Sequence, residues 1–549
     1  MTRASGGRRA AAALLAVGLL VACGESRPGP GAAAQPLTIP IREDPATFDP
    51  ALITTGGETL AQNVFGGLLR YDDHLKLVPD VAARLPEVSA DMRTYTFHLR
   101  PGVRFANGDP VTAADVVYSW SRTASRQGDF AWIFERVAGY EQVSTHAAAV
   151  LGGLHADDAQ TVTANLDQPA SHWLSGLGLP AAWLVDRKVI EARGEDTWWT
   201  TPEGLVGTGP YRMTARAPGR SIDFERVPGW WGTGPRLAKV HVVVEAELAR
   251  QVSGYVDGRF DAVGYGEVVR QTDDLRVLAP VQHDPARSAQ LLVRPFLRTS
   301  YLSFNFVNGP FRGLEDGRPG RLALSLAIDR HQLVAAVCDG GLECVAATGG
   351  IVTSGLDGFL GIDGDANARF DPQRARQVYR SWDPDGARLR GLTLATWAPF
   401  RDVAEALTRQ WKAVLGIDVG LDVTDVQSLT QNLDRQAYPL VLVGWLADYN
   451  SPQDWLAPLY TPSAQYRSGA CGCGYRSPDF LQRLQEAEQR PAADAVTDYL
   501  AANKMLIRDV AYSALVYGVR AMLVKPYVRG AGTSALYEYR WSEVEVVSH

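Results

Sequence analysis

Residues Thr94–Trp120 place the tightest local constraint on what this chain can fold into. Thr94-Tyr95-Thr96-Phe97-His98-Leu99 alternates polar with apolar side chains, the period of a half-buried strand. The Asn107-Gly108-Asp109 turn follows, and Thr112 then stands as a helix N-cap. Asp115 at the third helical position makes an acidic variant of the capping box, and Val116, Val117 and Trp120 give the helix one apolar side. A strand running through a turn into a capped helix is a building unit of α/β architecture, and strand and helix signals alternate through the rest of the chain. At 549 residues the chain exceeds what one core can organise, so several domains are expected.

The N-terminus reads as an export signal. Arg3, Arg8 and Arg9 precede an apolar run from Ala10 to Ala22, too short to span a bilayer as a mature helix. Leu20-Val21-Ala22-Cys23 resembles a bacterial lipoprotein box, which implies cleavage after residue 22 and acylation of Cys23. An ordinary secretory peptide is the alternative. Residues 23–36, rich in Gly, Pro and Ala, form a flexible tether. Loss of residues 1–22 removes three positive charges and takes the formal charge from −7 to −10, which argues against nucleic acid as a partner.

Tyr438–Leu456 is the second informative stretch. Its first half is a short apolar run, as in a strand buried on both faces, and Trp445, Asp448 and Tyr449 follow before an Asn-Ser-Pro turn. A carboxylate between aromatic rings at the end of a buried strand is poorly hydrated and calls for a partner. That partner is either structural, an arginine or a helix N-terminus, or a cation brought by a ligand. Near the N-terminus, Leu37–Ile41 reads as a first strand and Asn63–Leu69 as the end of a short helix.

The segment TYTFHLRPGVRFANGDPVTAADVVYSW resembles, nearly residue for residue, the signature of extracellular solute-binding proteins of family 5, the peptide-binding components of ABC importers. VFGGLLRYDDHLKLVPDVA is similar to that family's first crossing between domains, and VGTGPYRM at 206–213 to its return, with Gly207 and Gly209 permitting a tight reversal. YLSFNFVNGPF, the helix RLALSLAIDRHQLVAAV, the helix and strand of 404–423, and LVKPYVRG at 523–530 extend the likeness over almost the whole mature chain. The resemblance implies an α/β type II periplasmic-binding fold, two hinged lobes plus an inserted domain. The expected division is 37–69, 205–299 and 520–549 in a discontinuous first domain, 70–204 as the insert, and 300–519 as the other lobe. It also implies a monomer that hands cargo to permease subunits and needs no cofactor.

In the oligopeptide branch a Trp-x-Ala-Asp-Tyr-Asn segment supplies the aspartate that pairs with a peptide's α-ammonium, and Trp445 to Asn450 matches it directly. The resemblance therefore assigns Asp448 to the ligand's amino end, Trp445 to an apolar wall beside Tyr449, and Tyr118 to a pocket contact. Tyr517 is a weaker carry-over for which core packing serves equally. Gly56 and Gly57 would lie along a peptide backbone, pairing with it as an added strand. Two departures stand out: Val426 replaces a pocket tryptophan, and Leu433 and Leu442 replace basic residues offered to peptide C-termini, with Arg435 near but shifted. Non-peptide cargo (sugar, opine, metal chelate or haem) on the same fold is the alternative.

Besides Cys23 there are Cys338, Cys344, Cys471 and Cys473, which in an exported chain allow three disulfide pairings. Cys338–Cys344 is favoured; Cys471 and Cys473 close a ring of their own or bridge to the first pair. A four-thiolate zinc site fits the spacing poorly. No Gly-x-Ser-x-Gly, His-Glu-x-x-His or Walker motif occurs, so nothing in the sequence points to an enzyme.

Overall fold

The computed structural model describes residues 35–54, 58–264, 274–462, 469–471, 473–531 and 540–547. Cys23, Gly56 and Gly57 lie outside them.

Three sheets organise these residues. The first has four strands in the order Leu37–Ile41, Lys239–Val244, Ser221–Arg226, Tyr211–Ala217; only the first pair is parallel. The second is antiparallel and lies wholly within the 70–204 stretch: Glu87–Val88, Thr94–His98, Thr161–Asn165, Leu154–Ala156. Thr94–His98 alternates half-buried and buried positions as its sequence requires. The helix Ala113–Arg126 packs on this sheet through the wholly buried Val116 and Trp120, with Trp120 edge-on to Phe97 at 6.0 Å. At its start the Asp115 carboxylate accepts the Thr112 backbone N–H at 2.8 Å, closing the box read from the sequence.

The third sheet has seven strands and is mixed. Leu440–Leu446 lies parallel to Thr393–Trp397, which pairs in parallel with Gly420–Thr424. On its other side the long strand Leu291–Phe304 runs antiparallel to Leu440–Leu446 and to the nearly as long Tyr512–Val524. Pairing of these two long strands is irregular between Pro295 and Thr299 and again between Ser300 and Tyr301. A bulge there bends the strand and breaks the even ladder.

Local differences from the sequence reading have physical causes. The short helix is Glu58–Ala61 and does not reach 63–69. From Asn63 the main chain is drawn instead into sheet-like bonds: Tyr211 N–H donates to the Asn63 carbonyl at 3.0 Å and Gly209 N–H to that of Val64 at 2.8 Å. Gly207 and Gly209 do not supply a left-handed turn, since neither has positive φ. They permit close approach: a Cβ on Gly207 would stand 2.2 Å from the Val64 carbonyl oxygen. The single helix expected after residue 320 is two, Arg318–Leu326 and Arg330–Val337, because the Asp329 side chain caps the second by accepting Gln332 N–H at 3.0 Å. Cys338 is bonded to Cys344 and Cys471 to Cys473.

Candidate functional site

The strand Leu440–Leu446 is buried through Val443 and emerges at Gly444. It is therefore buried on both faces only over its first half, because its C-terminal end opens onto a cavity of about 670 Å³. The turn that follows is fixed at each residue. Ala447 N–H donates to the Leu297 carbonyl at 2.8 Å, and Asp448 N–H donates to the Asp454 carboxylate at 3.0 Å. The buried Tyr449 hydroxyl donates to the Gln453 side chain, and the Asn450 amide donates to the Leu75 carbonyl at 2.9 Å. Asp454 sits in the first turn of the helix Gln453–Tyr460 and is 1% exposed.

One wall of the cavity comes from this turn and the other from residues 129–136 and 172–176. The wall rings contact one another: Trp132 lies 5.7 Å from Tyr449, and the His172 ring stacks on Tyr449 at 6.1 Å. Behind His172 the contact is polar. Its Nδ1 is 2.9 Å from the Glu488 carboxylate, which also receives Ser171 N–H at 3.1 Å and the Tyr499 hydroxyl at 3.1 Å. Burial alone would raise Glu488, but His172, Tyr499 and Arg136 outweigh it and hold the carboxyl below its ordinary range.

Asp448 keeps partial contact with the cavity and is otherwise enclosed by protein. Burial, and then the like charge of Asp129, push its carboxyl up to about 7. Among the described residues no cation forms an ion pair with it. Asp454 is driven well above the usual carboxylate range by burial and by Asp448, against the pull of the Asp448 N–H. Four carboxylates line the space, Asp129, Glu135, Asp448 and Asp454, against Arg136 and His172. The site can hold a cation beside flat aromatic surface.

Trp445 and Leu446 also line a second cavity of about 300 Å³, walled by Tyr301, Trp397, Phe400, Leu429 and Leu433, with Val426 at its edge. Trp445 thus borders both spaces.

Of the residues singled out in the sequence, Asp448, Trp445 and Tyr449 meet at one cavity. Tyr118 is half-buried elsewhere, its ring 5.4 Å from the Arg187 guanidinium. Tyr517 is buried in the long strand, where its hydroxyl accepts Gly349 N–H at 3.1 Å and donates to the Gly350 carbonyl at 2.7 Å. Sequence reasoning missed Asp129, Trp132, Glu135, Arg136 and His172, which come from a distant part of the chain. Asp454 had a local signal, an acid six residues after Asp448 at a helix start.

The sheet order, the two long strands shared along one mixed sheet and an aromatic, acidic cavity fit a binding protein of the two-lobed type II periplasmic class. The model of bacterial extracellular solute-binding proteins, family 5 (middle part), matches residues 76–467, and the chain belongs to that family. It is 26% identical to the periplasmic murein peptide-binding protein MppA of Escherichia coli strain K12, over 90% of each chain. It is 25% identical to the periplasmic oligopeptide-binding protein OppA of Salmonella typhimurium strain LT2, over 86% of this chain and 84% of that one. The unliganded open form of MppA superposes with a TM-score of 0.79 at 23% identity, covering 94% of this chain and 98% of the other.

Proposed function

We propose that this protein captures peptides outside the cytoplasmic membrane and delivers them to an ABC permease, with Asp448 receiving the peptide's amino end. The observation that carries the reading is an enclosed carboxylate, without an ion-pair partner among the described residues, facing a cavity with aromatic walls. A buried carboxylate of this kind is costly until a cation arrives, and an α-ammonium supplies one. Peptide-binding relatives that match nearly the whole length of this chain support peptide over other cargo. Trp445 and Tyr449 then give the ligand an apolar wall. Tyr118 is read as a contact made on lobe closure and Tyr517 as core packing. Gly56 and Gly57 remain proposed backbone partners.

The residue ranges given above for the domains are our reading of the lobes, with the irregular pairing at 295–301 as the hinge. No helix among the described residues is long and apolar enough to cross a membrane. We assign attachment to acylated Cys23, action as a monomer, and capture without catalysis.

The test is mass spectrometry of what stays bound after purification under native conditions. Peptides with free amino termini, lost from Asp448→Asn, are the expected result. A non-peptide solute retained by that variant contradicts the assignment.

A further inference from the structure

The cavity beside Asp448 carries more negative charge than one ammonium can answer. Of its two basic residues, His172 lies 2.9 Å from Glu488, and Arg136, whose guanidinium donates to the neutral Gln168 side chain at 3.2 Å, acts on Glu135. Asp454, at 1% exposure, lines the cavity without a cation among the described residues, and burial favours its neutral form. The acids left to be matched are Asp448 on one wall and Asp129 on the other, with Glu135 on the same wall as Asp129 and only partly offset by Arg136 and His172. Asp129 acts on Asp448 through the intervening space, adding to burial in lifting that carboxyl, so the two share a field that a second cation relieves. Partial desolvation keeps Glu135 raised although Arg136 and His172 act against it, so it too gains from an added positive charge. Trp132 lies on the same segment as Asp129 and Glu135 and packs on Tyr449, the neighbour of Asp448. A flexible side chain with a charged tip suits this setting, its methylenes along the ring and its cation at the carboxylates.

We infer that the cavity selects peptides whose first residue is lysine or arginine, with the α-ammonium at Asp448 and the side-chain cation at Asp129 and Glu135 against Trp132. This rests on the reading that Asp448 receives the amino end, and it adds the chemical class of the first side chain.

Calorimetry on the full chain with Lys-Ala-Ala and norleucine-Ala-Ala tests it, since the two differ in the charge and not in the length of the apolar stem. The lysine peptide should bind roughly tenfold more tightly at low salt, and this ratio should shrink at about 0.5 M salt. In the double variant Asp129→Asn, Glu135→Gln the ratio should fall towards one. Both positions are exposed, so the variant should fold. Equal or tighter binding of the norleucine peptide overturns the inference, as does a lysine preference that survives in the double variant. If the two free peptides bind alike and N-acetylation abolishes both, Asp448 keeps its role and only the first-residue selectivity falls. If acetylation changes neither, both readings fall.

Discussion

The backbone N–H of Asp448 donates to the side chain of Asp454 at 3.0 Å, and this bond ties together two acids that line the same cavity. Asp454 thereby fixes the main chain at Asp448. Because both are enclosed, the charge of Asp448 makes ionisation of Asp454 still less favourable, and Asp454 stays neutral where Asp448 titrates. Asp454 serves as the anchor, and the charge of Asp129 tunes the Asp448 carboxyl. Asp129→Asn removes the like charge that helps to raise Asp448, so that carboxyl should titrate lower than in the wild type, whereas Asp454→Asn keeps an acceptor for the Asp448 N–H and should leave it nearly unchanged. Carbon-detected NMR titration of the side-chain carboxyls reads this directly. Asp454→Ala removes the acceptor and should destabilise the fold by about 1–3 kcal/mol, measured by chemical denaturation.

The elevated Asp448 carboxyl has opposite consequences for stability and binding. An acid whose folded pKa exceeds its unfolded one favours the fold while protonated. Its contribution is full below the ordinary value of 3.8 and is lost as pH rises through about 7. The ligand-free protein should therefore lose roughly 1–3 kcal/mol from this residue between those limits, and Asp448→Asn should not. A cationic ligand needs the ionised form, so affinity should weaken as pH falls below about 7, with a proton released on binding. Calorimetry in buffers of different ionisation enthalpy measures that release, which the Asn variant should lack.

Glu488 has the contrary sign. His172, Tyr499 and Arg136 hold its carboxyl below the ordinary 4.5 against the effect of burial. Its contribution is present above that value and is lost as pH falls through the lowered one. Glu488→Gln should reduce stability by about 1–3 kcal/mol at neutral pH and by less in acid, visible as converging melting temperatures.

Gly207 tests the close approach of two main chains. An added methyl would meet the Val64 carbonyl oxygen at 2.2 Å, and backbone on each side cannot yield cheaply. Gly207→Ala should destabilise by about 1–3 kcal/mol, measured by thermal unfolding.

Elements specified by neighbouring residues were legible in the sequence. The strand at 94–98, the capped helix at 113–126 and the strand leading to Asp448 follow from alternation, capping and apolar runs. Where long-range bonding decides, local pattern misled: Asn63 and Val64 give their carbonyls to residues 209–211 in place of continuing a helix. The glycines at 207 and 209 were recognisable as special, but the Val64 backbone that makes them necessary lies far away in sequence. The site divides in the same way. Asp448, Trp445 and Tyr449 follow one another along a single turn. Asp129, Glu135 and His172 face them only because the 70–204 stretch folds alongside, and nothing local to those residues announces it.

The most direct measurement is calorimetric titration of the protein with one short peptide in two forms, amino terminus free and acetylated. Free peptide should bind and the acetylated form should lose most of the affinity, with Asp448→Asn weakening only the former. Equal affinities for the two forms would contradict the assignment of Asp448 to the ligand's amino end.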